Sequence, residues 1–321
     1  MTSFQLRTGS PGTRILAFGH YQPSNVVTND DLAKTIDTND EWIQSRVGIK
    51  QRRIAGPDES VVDLAVQAGG KALANSGLSP ADIDLVIVAT CTQEAQIPNS
   101  SAQVATRLGI VSPGAYDVNA ACAGFCYALS SASDAIRAGS ARNVLVIGSE
   151  KLSQWVDWTD RSTCIIFADG AGAAVVGPSE EAEVGPVVWG SAGDMADKIF
   201  IEDRNGFLYQ EGQSVFRWTT TNLHKAAKEA CDRAGVDPSE LAAFVPHQAN
   251  LRIVEAIARK LKAVNAVVAD DIVEAGNTSA ASIPLALSRL IERGDVPSGA
   301  PALLIGFGAG MTYAAQVVAI P

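Results

Sequence analysis

At 321 residues the chain is larger than most single domains and can bury a sizeable core. A formal charge of −10 opposes a phosphate backbone and argues against nucleic acid as a partner, and five cysteines, odd in number and without a CxxC pair, read as reduced thiols. No apolar run nears the roughly 18 residues that cross a bilayer, and the first residues lack the order of a signal peptide, so a cytoplasmic protein with no membrane segment is expected.

In chain order, residues 14–20 (RILAFGH) form a short apolar run that reads as a buried strand. Residues 65–85 read as a helix stopped by Gly77, a turn at Pro80 and the start of a strand. Asp117-Val-Asn-Ala-Ala-Cys122-Ala-Gly-Phe-Cys126 passes from a strand into an Ala-rich helix, and Gly124 there implies a close backbone approach. Residues 144–148 (VLVIG) and 172–178 (GAAVVGP) are again strand-like, and 223–243 repeats the helix and turn with Gly235 and Pro238. His247, in FVPHQANLRI, follows an apolar strand and precedes a helix with apolar Val254, Ile257, Ala258 and Leu261. Asn277 stands in EAGNTSAASIP, and residues 302–306 (ALLIG) form a strand before the turn Gly306-Phe-Gly308-Ala-Gly310.

Sliding the sequence by 158 residues aligns four of these segments: 14–20 on 172–178, 65–85 on 223–243, NAACAGFCYALS on NTSAASIPLALS, and 144–148 on 302–306. Two copies of strand, helix, strand, helix, strand are expected, divided as 1–171 and 172–321. Apolar strands of this kind must be covered on both faces, so helices would lie between two sheets, with the chemistry at strand ends near a pseudo-twofold axis.

Cys122 would lie at a helix N-terminus, where the dipole is worth about 0.3–2 kcal/mol and would lower a thiol pKa from about 8.5 toward 7. Cys91, Cys126, Cys164 and Cys231 are expected to pack as small hydrophobes. Of the three histidines only His247 has a strand-end setting; His20 and His224 read as ordinary structural groups. Asn277, the repeat counterpart of Asn119, is either a helix cap or a hydrogen-bond donor to a reacting oxygen. The glycine turn lacks the acidic partner of a dinucleotide loop and suits backbone N–H donors to an oxyanion. No metal-ligand spacing is present. Together these groups suit acyl transfer to sulfur followed by stabilisation of an enolate oxygen.

NDEWIQSRVGI, NAACAGF, DRSTCIIFADGAGA, VPHQANLRI, GNTSAASIP and GFGAGMTYAAQVV, in this order along the chain, resemble the beta-ketoacyl-ACP synthase III family. The resemblance implies an α/β chain of the five-layered αβαβα thiolase fold, with mixed sheets in two pseudo-equivalent halves. It implies that Cys122 takes an acyl group from acyl-CoA and that His247 and Asn277 bind the malonyl thioester of malonyl-ACP. The N–H groups of Cys122 and of the Gly308–Ala309 turn would form the oxyanion hole. Acyl-CoA and malonyl-ACP are then substrates, and no cofactor is expected.

By the same resemblance Trp42 and Arg161 would sandwich the CoA adenine, with Arg46 near its phosphates, Asn250 along the pantetheine channel, and Phe216 and Arg252 among the other contacts. Arg252, Arg259 and Lys262 would receive the carrier protein. Ile97 would shape the acyl pocket of the neighbouring subunit in a homodimer. The stretch 194–210 is shorter than its family counterpart and leaves the cover of that pocket open. Initiation of fatty acid synthesis is the expected role. A priming ketosynthase for polyketide biosynthesis and a non-decarboxylating acyltransferase are the alternatives on this fold; a cysteine hydrolase or a non-catalytic partner is less well matched.

Overall fold

The structure, a computed structural model, describes residues 7–203 and 205–321. Its organisation is visible in one strand. Val144–Lys151 is apolar at successive positions because both of its faces are buried: Val144 and Val146 point into a core shared by two sheets, Leu145 and Ile147 into a second core beneath an outer helix. Pro301–Phe307 repeats the pattern, with Ala302 and Leu304 on the inner side and Leu303 and Ile305 on the outer.

Each strand is the centre of a five-stranded mixed sheet. The first sheet runs Gly12–Tyr21, Asp169–Ser179, Val144–Lys151, Leu85–Ala89, Gly114–Val118; the second runs Val188–Gly190, Tyr313–Ala319, Pro301–Phe307, Ala243–Pro246, Val267–Val268. Both are antiparallel at the first end and parallel at the other. The helices Gly124–Arg137 and Ser282–Arg293 fill the space between them through Phe125, Leu129, Ile283 and Leu287. Val61–Ser76 covers the outer face of the first sheet, and Gly212–Ala234 with Leu251–Leu261 covers that of the second. This is the expected αβαβα order.

The repeat is real but its first segment is misplaced. Residues 14–20 and 172–178 are neighbours in one sheet, with His20 opposite Gly172 and Arg14 opposite Gly177, so they are not copies in different halves. The counterpart of Gly12–Tyr21 is Val188–Gly190, which flanks Tyr313–Ala319 as the former flanks Asp169–Ser179. A division between 171 and 172 therefore cuts a strand of the first sheet; the chain crosses between sheets over 180–187. Two apolar strands of similar length look alike in sequence whether they pair or are symmetry mates.

The other matches hold in detail. Gly77 and Gly235 both end helices in the left-handed conformation, at φ 73° and 68°, and Pro80 and Pro238 both open short 3₁₀ turns. The turns Ala121–Ala123 and Ser279–Ala281 precede the two central helices, and each begins with a non-glycine residue at positive φ, 46° at Ala121 and 50° at Ser279. They come together beside Gly124, where a Cβ would stand 3.1 Å from Ala89 Cβ and 3.4 Å from Ala280 Cβ. A separate apolar cluster including Ile43, Ile49, Leu152, Phe167 and Ile272 caps this end of the sheets. Among the described residues no helix is long and apolar enough to cross a membrane.

Candidate active site

A cavity of about 1020 Å³ opens where the two turns meet, at the upper end of the size of small-molecule sites. Cys122, His247 and Asn277 all line it, although they come from three separate stretches of chain. The positive φ at Ala121 turns the chain sharply before Cys122, and Asn119 Oδ1 accepts the Ala121 N–H at 3.2 Å to hold that turn. Burial pushes the Cys122 thiol up to about 12, against a hydrogen bond from the Ser279 hydroxyl that lowers it, while the Glu150 carboxylate adds to the rise. The expected fall toward 7 is not found: the helix is approached through a 3₁₀ turn inside an apolar wall, and desolvation outweighs the dipole there.

His247 follows the strand Ala243–Pro246 and is 2% exposed. Its Nδ1 lies 2.7 Å from Ser282 Oγ, which also accepts the Gln248 N–H at 3.2 Å. With that hydroxyl as donor to Nδ1, the neutral imidazole carries its own proton on Nε2. Burial holds the ring pKa down at about 3, so His247 is a neutral N–H donor. Asn277 is 4% exposed, and its Oδ1 accepts the Ser279 N–H at 2.9 Å. The cap reading of Asn277 holds for its oxygen, which caps the turn, and the residue lines the cavity.

Gly306 and Gly308 bring the last turn against Cys122. A Cβ at Gly308 would meet Cys122 N at 2.7 Å and Cβ at 2.9 Å, which is why the position is glycine; its φ of −171° would suit any residue. The Gly308 N–H is donated to Thr312 O at 3.0 Å, so within this turn the available donor toward Cys122 is the Ala309 N–H, not that of Gly308.

At the mouth, Trp42, Arg46, Arg161, Asn250, Arg252 and Phe216 all line the cavity. Arg161 Cζ lies 4.9 Å and Arg46 Cζ 5.6 Å from the Trp42 ring centroid. A purine between two planes needs about 7 Å, twice the contact distance, so Arg161 must swing out to admit one. Asn250 caps the helix Leu251–Leu261, accepting from Arg252 N at 2.9 Å and donating to Arg46 O at 3.2 Å. Arg252 lies over Phe216 at 5.2 Å. The short 194–210 stretch does cover the cavity: Ile199, Phe200, Ile201 and Leu208 line it, from or beside the small pair of strands Ile199–Phe200 and Tyr209–Gln210. Ile97 is not part of this chain's cavity and is 84% exposed.

Sequence reasoning missed four groups. Cys91, expected to pack as a small hydrophobe, lines the cavity and hydrogen-bonds Glu150, whose carboxylate is wholly buried beside it. Ser279 and Ser282 lie in the Asn277 motif but carried no expectation. The repeat held a signal for Glu150, since aligning 144–148 on 302–306 sets it opposite Gly308 of the glycine turn beside Cys122. Of the histidines judged structural, His20 bonds Ser288 at 2.9 Å and neither it nor His224 lines the cavity.

Residues 116–193 match the family described as 3-oxoacyl-[acyl-carrier-protein (ACP)] synthase III, and 231–320 match its C-terminal part. The chain is 59% identical over 313 residues, 97% of its length and 99% of the relative's, to beta-ketoacyl-[acyl-carrier-protein] synthase III 4 of Streptomyces coelicolor. It is 48% identical over 333 residues, 100% of its length and 99% of the relative's, to the mycobacterial beta-ketoacyl-[acyl-carrier-protein] synthase III of Mycobacterium avium. Among solved structures, the priming beta-ketosynthase of the R1128 polyketide pathway superposes with a TM-score of 0.96 at 43% identity, covering 99% of each chain. The 3-oxoacyl-[acyl-carrier-protein] synthase III of Aquifex aeolicus does so with a TM-score of 0.91 at 42% identity, over 96% of this chain and 100% of that one. The chain belongs to the beta-ketoacyl-[acyl-carrier-protein] synthase III family, and its two sheets with three helical layers are the thiolase fold of that family.

Proposed function

We propose that the protein condenses an acyl group from acyl-CoA with malonyl-ACP, releasing CO2 and CoA and yielding 3-oxoacyl-ACP. The observation that carries this reading is the convergence of the Cys122 thiol and two neutral N–H donors, His247 and Asn277, on one cavity. Cys122 sulfur takes the acyl group from CoA. The malonyl thioester oxygen then accepts from His247 Nε2 and Asn277 Nδ2, which stabilise the negative charge that develops there as the carboxylate leaves as CO2. The enolate carbon attacks the acyl carbon, whose oxygen is held by the N–H groups of Cys122 and Ala309, and Cys122 is released as the new carbon–carbon bond forms. A neutral His247 suits this role, because a charged imidazolium would stabilise the malonyl carboxylate and oppose its loss. The step balances with the two thioesters and one proton from solvent, taken up by the Cys122 thiolate as it is released, and no cofactor is called for.

Trp42, Arg161 and Arg46 would hold the CoA nucleotide at the mouth, with Asn250, Phe216 and Arg252 along the channel. The exposed Arg252, Arg259 and Lys262 would receive the acidic carrier protein. A homodimer is supported by the first sheet's edge strand Gly114–Val118, with Tyr116 39%, Val111 83% and Ile97 84% exposed nearby; Ile97 would then reach the partner's pocket. Five free thiols support a reducing, cytoplasmic setting. Initiation of fatty acid synthesis is the first reading of the pathway. Priming of polyketide synthesis is the second, favoured by the likeness to the R1128 priming ketosynthase. Intact-protein mass after exposure to a panel of acyl-CoAs, then to malonyl-ACP, tests the reaction: an adduct absent from Cys122→Ala and discharged as 3-oxoacyl product is expected. An adduct that passes only to water would overturn it.

A further inference from the structure

Glu150 has no exposed surface, and no cationic side chain among the described residues pairs with it. Its carboxyl group accepts from Thr92 Oγ1 at 2.6 Å, Thr90 Oγ1 at 3.1 Å, Cys91 N at 3.1 Å and Cys91 Sγ at 3.4 Å, all from the loop after the strand Leu85–Ala89. The remaining donor comes from the other half of the chain: Ser279 Oγ lies 2.9 Å from Oε1. Glu150 thus ties the end of the strand Val144–Lys151 to the turn Ser279–Ala281. Strand and turn are in close contact, since a Cβ at Gly148 would overlap the Ala280 carbonyl. Burying a carboxyl group without a counter-charge is costly, so its place here needs a reason beyond packing.

Ser279 supplies the reason. Its φ of 50° is a conformation that a side-chain-bearing residue keeps only when its surroundings impose it. Its N–H is donated to Asn277 Oδ1 at 2.9 Å. A backbone N–H can only donate, so this bond fixes which end of the Asn277 amide is the oxygen. The main chain of Asn277 is held separately, its N–H by Ile166 O and its carbonyl by the Ala168 N–H, each at 2.9 Å, which leaves the side chain for Ser279 to set. The first half offers an internal comparison, because the offset of 158 sets Asn119, Ala121 and Gly308 on Asn277, Ser279 and Glu150. Ala121 has a φ of 46° and donates to Asn119 Oδ1 at 3.2 Å, with neither a hydroxyl nor a carboxyl group behind it. The serine and the carboxyl group occur together, in the copy whose asparagine is buried.

We propose that Glu150 is a positioning residue for Asn277 and acts on it through Ser279. Glu150 Oε1 holds the Ser279 hydroxyl, the hydroxyl holds the strained turn, and the turn presents its N–H to Asn277 Oδ1. The amide is thereby kept from flipping, so that Nδ2 and not Oδ1 is offered to the malonyl thioester oxygen. No bond forms or breaks along this chain of contacts and no proton moves through it. The inference rests on the reading of Asn277 as a donor to that oxygen, and it names what aims the donor. A bond from Nδ2 strengthens as negative charge develops on the oxygen, so loss of the tether should appear in kcat for decarboxylation and not in the KM for malonyl-ACP.

Decarboxylation of malonyl-ACP by wild type, Ser279→Ala and Glu150→Met, with each change also made in an Asn277→Ala background, tests the proposal. Methionine keeps the length of the Glu150 side chain without its acceptors, and Ala121 shows that such a turn accepts alanine. Each single variant should lose about tenfold in kcat, the worth of one hydrogen bond, with KM within about twofold of wild type. Once Asn277 is alanine, the same changes should cost less than about twofold, because the group they position is gone. A loss undiminished in that background means that Glu150 or Ser279 acts by another path and overturns the proposal, as does an unchanged kcat in the single variants. Without any substrate, the amide proton of residue 279 should exchange about tenfold faster in Glu150→Met than in wild type, followed by NMR. Equal exchange rates overturn the tether as well. Should Glu150→Met fail to fold, Ser279→Ala decides by the same kinetic and exchange comparisons. A wild type that leaves malonyl-ACP intact refutes the condensing reading, and the exchange rates still decide the tether.

Discussion

The Ser282 hydroxyl stands 2.7 Å from His247 Nδ1 and anchors that side of the imidazole. Ser282 occupies the repeat position of Gly124, so one turn supplies a close approach of backbones and the other an anchor for the imidazole. Ser282→Ala should free the ring to take either tautomer. Losing one hydrogen bond of about 1.4 kcal/mol corresponds to about tenfold, so decarboxylation should fall about tenfold relative to Cys122 acylation. An equal effect on both partial reactions would remove the tautomer argument.

His247 should stay neutral in the folded enzyme well below pH 6. Its folded pKa of about 3 lies under the ordinary 6.5, so the unfolded state takes up a proton that the folded state refuses. Stability is thus fully present above about pH 6.5 and lost as pH falls toward 3. Between pH 7 and 5 the loss from this group is up to about 2 kcal/mol. Urea midpoints at the two pH values should shift more for wild type than for His247→Asn, and the His247 ring signals in NMR should not titrate down to about pH 4.5.

Gly308→Ala should strike Cys122 directly, since the new methyl would lie 2.7 Å from its backbone nitrogen. The backbone must shift, and the oxyanion donors shift with it. Loss of one such donor is worth about 3 kcal/mol, so acylation should fall about 100-fold. Circular dichroism and thermal melting would show the folded state retained; acylation near the wild-type rate would contradict the close approach.

Trp42 and Arg161 touch each other, so nucleotide binding must part them. Stacking on an aromatic ring is worth about 1–3 kcal/mol, and Trp42→Ala should raise the acyl-CoA KM about tenfold with little change in kcat at saturation. CoA should alter tryptophan fluorescence in wild type and much less in Trp42→Ala. A KM within about twofold of wild type would place the nucleotide elsewhere.

The match of 65–85 to 223–243 was legible in sequence because glycine stops and proline starts recur at the same offset in both, and these are local backbone requirements. The false match of 14–20 to 172–178 shows what such a pattern lacks: an apolar run reports burial and not its partner. At the site, Cys122 and His247 could be picked out because each stands where a strand turns into a helix, and Asn277 because the repeat sets it opposite Asn119. Cys91 could not, since an apolar neighbourhood in sequence reads as packing whether or not a cavity lies beside it.

What the sequence by itself determined is the repeat, the layer order that follows from strands apolar on both faces, and the choice of Cys122, His247 and Asn277 as candidates for the chemistry. Only the tertiary structure decided the state of those groups. Desolvation depends on everything packed around a side chain, and it reversed the expected shift of Cys122. The Ser279–Glu150 bond joins residues 129 positions apart, and the imidazole of His247 is anchored by a serine 35 positions away. Such pairs exist only once the two central helices have met at Gly124, a contact made by tertiary packing and not by local preference.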